Sequence, residues 1–418
     1  MEPTNTNRQA KIPFTGYQKF VIFILAVTQF SVVLDFMIMA PLGDLLMKVL
    51  AMKPSQFGSA VSGYAFSAGI AGLLTAGFAD RFDRKKLLLF FYIGFIAGTI
   101  FCALANSYET LLVARIITGL FGGVIGSISL AIVADLFDMH QRGRVMGFVQ
   151  MGFGASQVLG IPIGLYLANH LGWRAPFWLV VGMSTLIAVM IVVKLKPVTA
   201  HLAAQHDHSP LRHLLNTFAK TNYRIGFLAT AFLSIGGFMM MPFSSAFAVN
   251  NLKVTHEQLP LLFMVSGCSS LLIMPLIGRI ADRIDKFTLY TIASAWMMIV
   301  VVIYTNMSVS PLWLVMLVNV LMMMGILSRM VPAVALTTAI PDLADRGAFM
   351  SVNSSLQQIA GGVAAAAGGL IIKQQTEFSP LEHYNTVGYV MVCISLISVF
   401  LLYRVSVMVK KKMGEKKV

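Results

Sequence analysis

Twelve apolar runs of about 20 residues, separated by short polar segments, constrain this chain more than any other feature of its sequence. They fall near residues 18–42, 56–79, 87–105, 110–133, 145–168, 174–194, 224–248, 259–280, 288–306, 311–339, 348–372 and 385–408. About 20 apolar residues cross the hydrocarbon layer as a helix, and in lipid each backbone polar group must find its partner within its own segment. The expected fold is therefore all-α and polytopic, with twelve transmembrane helices. Composition agrees: 57% of residues are hydrophobic and 11% charged, whereas soluble domains are about a quarter charged.

The formal net charge of +14 raises the question of a nucleic-acid partner, and the placement of the bases answers it. With alternate segments assigned to alternate faces, 24 of the 31 Lys and Arg residues collect on one face. Lys48, Lys53, Arg174, Lys253 and Lys373 take the other face, and Arg115 and Arg329 lie inside spans. This is the positive-inside pattern. It puts both termini in the cytoplasm and makes the basic charge a matter of topology, so no nucleic-acid partner is expected. The first apolar run follows Arg8, Lys11 and Lys19, lacks a small-residue cleavage site and reads as a span rather than a removable leader. Cys102, Cys268 and Cys393 are scattered singly through apolar stretches, which argues against disulfides and against a cysteine metal site. No nucleotide-binding motif is present, which excludes ATP as the direct driver. The histidines and cysteines form no cluster that an integral-membrane enzyme would need, so no enzymatic activity, metal or cofactor is expected.

The apolar pattern breaks for longest between Lys194 and Arg224, a stretch holding Pro197, Pro210 and the histidines His201, His206, His208 and His213. Without recurrent ligand spacing these histidines read as a solvated linker. The halves on either side repeat each other at an offset of about 200 residues. Ala79-Asp80-Arg81-Phe82-Asp83-Arg84 is matched by Ala281-Asp282-Arg283-Ile284-Asp285-Lys286, and Arg142-Gly143 by Arg346-Gly347. Asp35-Phe36-Met37-Ile38-Met39 is matched by Gly237-Phe238-Met239-Met240-Met241. The expected organisation is a six-helix bundle over 1–195, a cytoplasmic linker over 196–222, and a second six-helix bundle with a basic tail over 223–418, the parallel-repeat plan of major-facilitator transporters.

Several motifs carry that resemblance further. Ala76-Gly77-Phe78-Ala79-Asp80-Arg81-Phe82-Asp83-Arg84-Lys85-Lys86 resembles the major facilitator superfamily signature G-x-L-A-D-R-x-G-R-K, departing at Ala76 and Asp83, where glycine is usual. The resemblance implies a conformational latch at the cytoplasmic helix ends, with Asp80 as its central acid and Arg81 and Arg84 beside it. Arg115-Ile116-Ile117-Thr118-Gly119 resembles the span 4 arginine motif of proton-driven antiporters, and Gly160-Ile161-Pro162-Ile163-Gly164 is similar to the span 5 antiporter motif, with the proline one place late. Taken together, the chain is similar to the twelve-span drug:proton antiporter group, which includes exporters of drugs, sugars and nucleosides.

Ionisable groups at mid-membrane are costly and mark function by default. Of the seventeen acids, only Asp35 lies well inside a span. Arg115 and Asp35 each lie about 7–11 Å below the same surface, counted at about 1.5 Å per residue, on neighbouring helices of one half. Two readings stand: a tie that holds spans 1 and 4 together, and a proton-coupling pair in which Asp35 is protonated from outside, loosens from Arg115 and releases its proton inward. The resemblance favours the second. Arg329 has no deep acid in its half, and contact with a polar substrate, pairing with backbone carbonyls and reach to the cytoplasmic face all remain open for it.

Met39, Phe238 and Met241 suit a flexible apolar cavity, although in a chain with 27 methionines they also serve as filler. Tyr64, Gln150, Gln157, Asn353 and Gln357 supply polar groups deep in spans. The expected protein is a monomeric, multi-pass transporter of the bacterial inner membrane, in contact with lipid, protons and a small-molecule substrate. It is driven by the proton gradient with no cofactor and exports small amphipathic compounds, drugs or metabolites, by alternating access. Export of a specific sugar or nucleoside is the alternative, and proton-coupled uptake is a third reading that the span 5 motif disfavours.

Overall fold

The computed structural model describes residues 13–76, 78–199, 202, 216–342 and 345–415; of Ala76, Asp80 and 413–415 it describes the backbone alone. The helices are α1 (Gly16–Met37), α2 (Pro54–Ala76), α3 (Arg84–Leu104), α4 (Tyr108–Leu136), α5 (Met139–Leu171), α6 (Ala175–Lys194), α7 (Thr221–Phe238), α8 (Leu259–Arg283), α9 (Lys286–Thr305), α10 (Leu312–Thr338), α11 (Arg346–Ile371) and α12 (Tyr384–Glu415). Among the described residues, eleven helices are long and apolar enough to cross a bilayer. The remaining one, α11, has 26 residues, or about 39 Å of helix, which is ample length. Its Ser, Asn, Gln and Gly content lowers its hydropathy, and its glycines and Ser355 pack closely on α2 and α7. The chain is an all-α polytopic membrane protein.

Local chemistry explains where the helices start and bend. Thr15 and Gln18 form a reciprocal capping box at the start of α1, and Ser107 with Thr110 does the same for α4. Asp83 and Asp285 cap α3 and α9 at equivalent places in the repeat. The apolar runs at 18–42 and 224–248 are not single helices. Each breaks beside a proline, Pro41 or Pro242, and resumes as a short helix, Gly43–Val49 or Ser244–Asn250, because proline lacks the amide donor and crowds the preceding turn. In α5, Pro162 removes another helical donor, and the turn just before it, Ser156–Gly160, widens to π geometry.

Helices α1–α6 pack on one another, as do α7–α12. The two sets meet along α2 against α11, and α5 against α8. The first contact is backbone-close: a Cβ added at Gly58 would lie 2.7 Å from the Ala365 carbonyl oxygen, and Ser62 Oγ donates to the Gly362 carbonyl at 2.8 Å. The second is one-sided. Helix α8 packs on the Ser156–Leu171 part of α5, where Ser270 Oγ donates to Gln157 Oε1 at 3.1 Å. Nearer the basic face Gln150, two turns before Gln157, is exposed.

Candidate functional site

Asp35 stands two residues before the end of α1, and Arg115 lies two turns into α4. Both are 0% exposed. Arg115 Nη1 donates to Asp35 Oδ2 at 2.8 Å and lies 3.4 Å from the Asp35 carbonyl oxygen. Thr99 Oγ1, from α3, donates to Asp35 Oδ1 at 3.3 Å. The guanidinium sits 4.5 Å from the centre of the Tyr64 ring on α2, a cation–π contact on a desolvated charge. Arg115 Nε and Nη2 are without a hydrogen-bond acceptor among the described residues. Four helices thus converge on one ion pair. A carboxylate and a guanidinium deep in a bundle tolerate each other's company and little else: removing either charge leaves the other uncompensated.

The glycines flanking the pair allow this convergence. A Cβ on Gly119 would fall 2.4 Å from the Tyr64 carbonyl oxygen, which fixes how closely α4 approaches α2 beneath Arg115. On the other side, a Cβ on Gly160 would meet Leu34 at 2.8 Å and one on Gly164 would meet Ile38 at 2.7 Å. The Gly160-Pro162-Gly164 segment is therefore the surface on which α1 lies as it carries Asp35.

The pair is connected to the other half of the molecule. Tyr64 packs against Phe36 at 5.1 Å between ring centres, and Phe36 against Phe238 at 6.1 Å. Phe36 follows Asp35 directly, and Phe238 belongs to α7, so an aromatic chain runs from the guanidinium across the junction of the two helix sets.

The other expected residues are placed as follows. Met39 and Tyr64 are buried, Gln157, Phe238, Met241 and Asn353 are half-buried, and Gln150 and Gln357 are exposed. Arg329 is buried at 3% exposure and turns to α9 and α12, where Tyr290 Oη accepts at 3.2 Å and Ser395 Oγ at 3.3 Å. This puts its head among the helices of its own set, apart from the Asp35 cluster and from the α2–α11 junction. Arg84 is buried and reaches Asp135 Oδ2 at 3.3 Å and the Ala79 carbonyl at 3.1 Å, while Arg81 is exposed. The Asp80 side chain and the four linker histidines lie outside the described residues. Asp83, where glycine is usual, caps α3 and also accepts from the Val198 amide at 2.9 Å, so this departure from the signature ties the segment after α6 to the start of α3. Among the described residues, no three His, Cys, Asp or Glu side chains gather as a metal site.

One cluster escaped the sequence reading. At the face opposite the bases, Asp44 (1% exposed) joins the two helix sets. Its carboxylate accepts from Lys48 Nζ at 2.7 Å and from Asn250 Nδ2 at 2.5 Å, and His256 Nε2 lies at 3.2 Å. Ser245 Oγ donates across the same junction to the Ala40 carbonyl at 2.6 Å. Burial raises the Asp44 carboxyl, but the hydrogen bonds from His256, Lys48 and Asn250 and the charge of Lys48 outweigh it and hold the group below its ordinary value. The only sequence trace of this cluster is the i,i+4 spacing of Asp44 and Lys48.

A family model described as Major Facilitator Superfamily matches residues 25–365 and 226–417. The chain belongs to the major facilitator superfamily. It is a membrane transporter and not an enzyme. A probable sugar efflux transporter of Helicobacter pylori (strain G27) is 28% identical over 200 residues, 47% of this chain and 51% of that protein, so this match spans about half of the relative's length. The MFS-type transporter YbcL of Bacillus subtilis (strain 168) is 26% identical over 390 residues, 91% of this chain and 95% of its own. Among solved structures, a bacterial homologue of the human lysosomal transporter Spinster, inward-facing and unoccupied, superposes with a TM-score of 0.77 at 16% identity, covering 96% of this chain and 99% of its own. A D-xylose–proton symporter gives 0.75 at 16% identity, covering 93% and 97%. At such identities these two structures speak to the fold alone.

Proposed function

We propose that this transporter exports small amphipathic compounds in exchange for protons, by alternating access in a bacterial inner membrane with both termini cytoplasmic. The observation that carries the proposal is the fully buried Asp35–Arg115 pair and its aromatic link to α7. When Asp35 takes up a proton from the outer side, the carboxylate charge that holds Arg115 Nη1 disappears. Arg115 then leans on the Tyr64 ring and the Asp35 carbonyl oxygen, and the Tyr64–Phe36–Phe238 contacts relax across the junction. Release of the proton towards the cytoplasm restores the pair. The placement of the bases supports the orientation, and Gln150, exposed on α5 towards the basic face, is a polar group that suits a substrate path from that side. Phe36, Phe238 and Met241 offer an apolar wall, with Gln157 and Asn353 as polar contacts, which suits amphipathic cargo. A latch at the basic helix ends, with Arg84 held by Asp135 and Arg81 free to reach a partner in the opposite conformation, fits the same cycle.

A second reading, export of a sugar, is favoured by the likeness to the probable sugar efflux transporter of Helicobacter pylori. One assay separates the two. Purified protein in proteoliposomes is given an imposed pH gradient and offered lipophilic cations, sugars and nucleosides in turn, while substrate and proton movement are followed together. The wild type is expected to couple amphipathic substrate to counterflowing protons, and Asp35→Asn to lose gradient-driven transport while still inserting and binding substrate. Full gradient-driven export by Asp35→Asn would sink the coupling assignment, and sugar-only flux would sink the amphipathic one.

A further inference from the structure

We propose that the groove between α1, α5 and α6 holds one anionic phospholipid of the leaflet on the basic face. The groove encloses about 770 Å³, within the size range of small-molecule sites. Every residue lining it belongs to α1, α5, α6 or the segment just before α1. Helix α6 packs on α1, α3 and α5, so the groove opens sideways, away from the α2–α11 and α5–α8 junctions where substrate would pass.

Its chemistry is divided along its length. At the basic end lie Lys19 and Arg144, and no acid lines the groove. Arg144 stacks 3.7 Å above the Phe14 ring, which holds its guanidinium at the mouth. Neither base takes part in an ion pair among the described residues. The remainder is apolar: Phe23, Val27 and Phe30 on α1 face Phe148, Met151 and Ala155 on α5. From Lys19 to Phe30 is eleven residues, about 16 Å of helix, and a leaflet of the hydrocarbon core is about 15 Å deep. The floor is closed because Gly152 lets α5 sit against α1; a Cβ there would lie 2.3 Å from the Ala26 carbonyl oxygen. Two cations above a leaflet-deep apolar trough complement a phosphate head and an acyl chain, and basic clefts between spans on this side of a membrane select anionic lipids.

The test uses the full chain in a neutral detergent, with thermal unfolding followed as phosphatidylglycerol, phosphatidylcholine or glycerol phosphate is titrated. Phosphatidylglycerol is expected to stabilise the wild type at lower concentration than phosphatidylcholine. The double variant Lys19→Gln/Arg144→Gln is expected to weaken that preference about 30-fold, equivalent to about 2 kcal/mol for two bases. Val27→Trp, which fills the trough and leaves both bases, is expected to weaken binding of either lipid, and Lys286→Gln, a base of the same face outside the groove, to leave both unchanged. Unaltered phosphatidylglycerol preference in the double variant would overturn the proposal. So would equal stabilisation by glycerol phosphate, which would mark a free-phosphate site, or a tightly co-purifying single-span polypeptide in place of lipid.

Discussion

Asp44→Asn offers a sharp test of how this transporter stays closed at the face opposite its bases. Of the three partners of the Asp44 carboxylate, Lys48 sits on the same short helix and stays with it whatever the two helix sets do. Only Asn250 and His256 belong to the other set, so of the bonds to the carboxylate only theirs are broken when that face opens. A hydrogen bond to a charged group contributes about 1.5–3 kcal/mol, and the His256 contact is discounted because its ring is 39% exposed. An Asn at this place keeps one acceptor for Asn250 but turns an amide donor towards the Lys48 ammonium. The closed state should lose about 2 kcal/mol relative to the open one, a shift of about 30-fold in their ratio. Spin labels on cysteines placed at Lys53 and Glu257, in a background lacking the three native cysteines, would report the distance across this face. The variant should populate longer distances than the wild type at the same pH. The pH dependence has a definite sign. Because the Asp44 carboxyl is held below its ordinary value of 3.8, its contribution to closure is complete above that value and is lost only as pH falls through the lowered one. Titration of Asp44 itself should therefore not alter closure between about pH 5 and pH 8. An unchanged distance distribution in Asp44→Asn, or a wild-type distribution that opens through titration of Asp44 near neutral pH, would refute this account.

Two further substitutions probe the packing and the buried base that only hydroxyls hold among the described residues. Gly152→Ala places a methyl 2.3 Å from a backbone carbonyl that cannot rotate away, so the α1–α5 contact should separate and stability fall by about 1–3 kcal/mol, read as a lower unfolding temperature; an unchanged midpoint would show that the two helices can part freely. Arg329→Met removes a buried cation whose described partners are hydroxyls only and should leave stability unchanged or raise it, since apolar replacements of buried charge are often neutral or stabilising, whereas a fall of about 3 kcal/mol or more would reveal an anionic partner.

The spans were legible because lipid imposes a single requirement, apolar length, that the sequence states directly. The breaks inside them were less so. Pro41 and Pro242 mark the interruptions of α1 and α7 one place apart in the repeat, but a proline within an apolar run reads equally as a kink. The meeting of Asp35 and Arg115 could be anticipated from depth alone, since two opposite charges at one level of one bundle have few other ways to be tolerated. The other two members were less legible. Thr99 is an ordinary residue of an apolar helix, and Tyr64 reads as a polar cavity group rather than as a ring beneath Arg115; only the approach of α3 and α2 permitted by glycines such as Gly119 turns them towards the pair. Asp83, in sequence only a departure from a signature, is a cap with a second partner, Val198, that lies 115 residues on. The Asp44 cluster was invisible for a related reason: its members come from segments about 200 residues apart, and small polar residues near helix ends are ordinary until the fold brings them together.

The repeat makes the division of labour between the helix sets a physical matter. Gly237 occupies the place that Asp35 holds in the first set, and a side chain added there would meet nothing within 4 Å. Asn319 occupies the place of Arg115 and spends its amide on its own helix, donating to the Val315 carbonyl at 2.9 Å. Among the described residues, the second set therefore has no charge to gain or lose at the level where the first set holds a complete ion pair. What it does share at that level is Phe238, which touches Phe36 and packs beside Gly361 of α11. A change of charge on α1 can reach α7 and α11 through rings in contact, with no second titrating group. On the proposed mechanism the proton is sensed on one side of the junction and the resulting movement is felt on the other, which is the least equipment that can turn one protonation into a motion of two bundles.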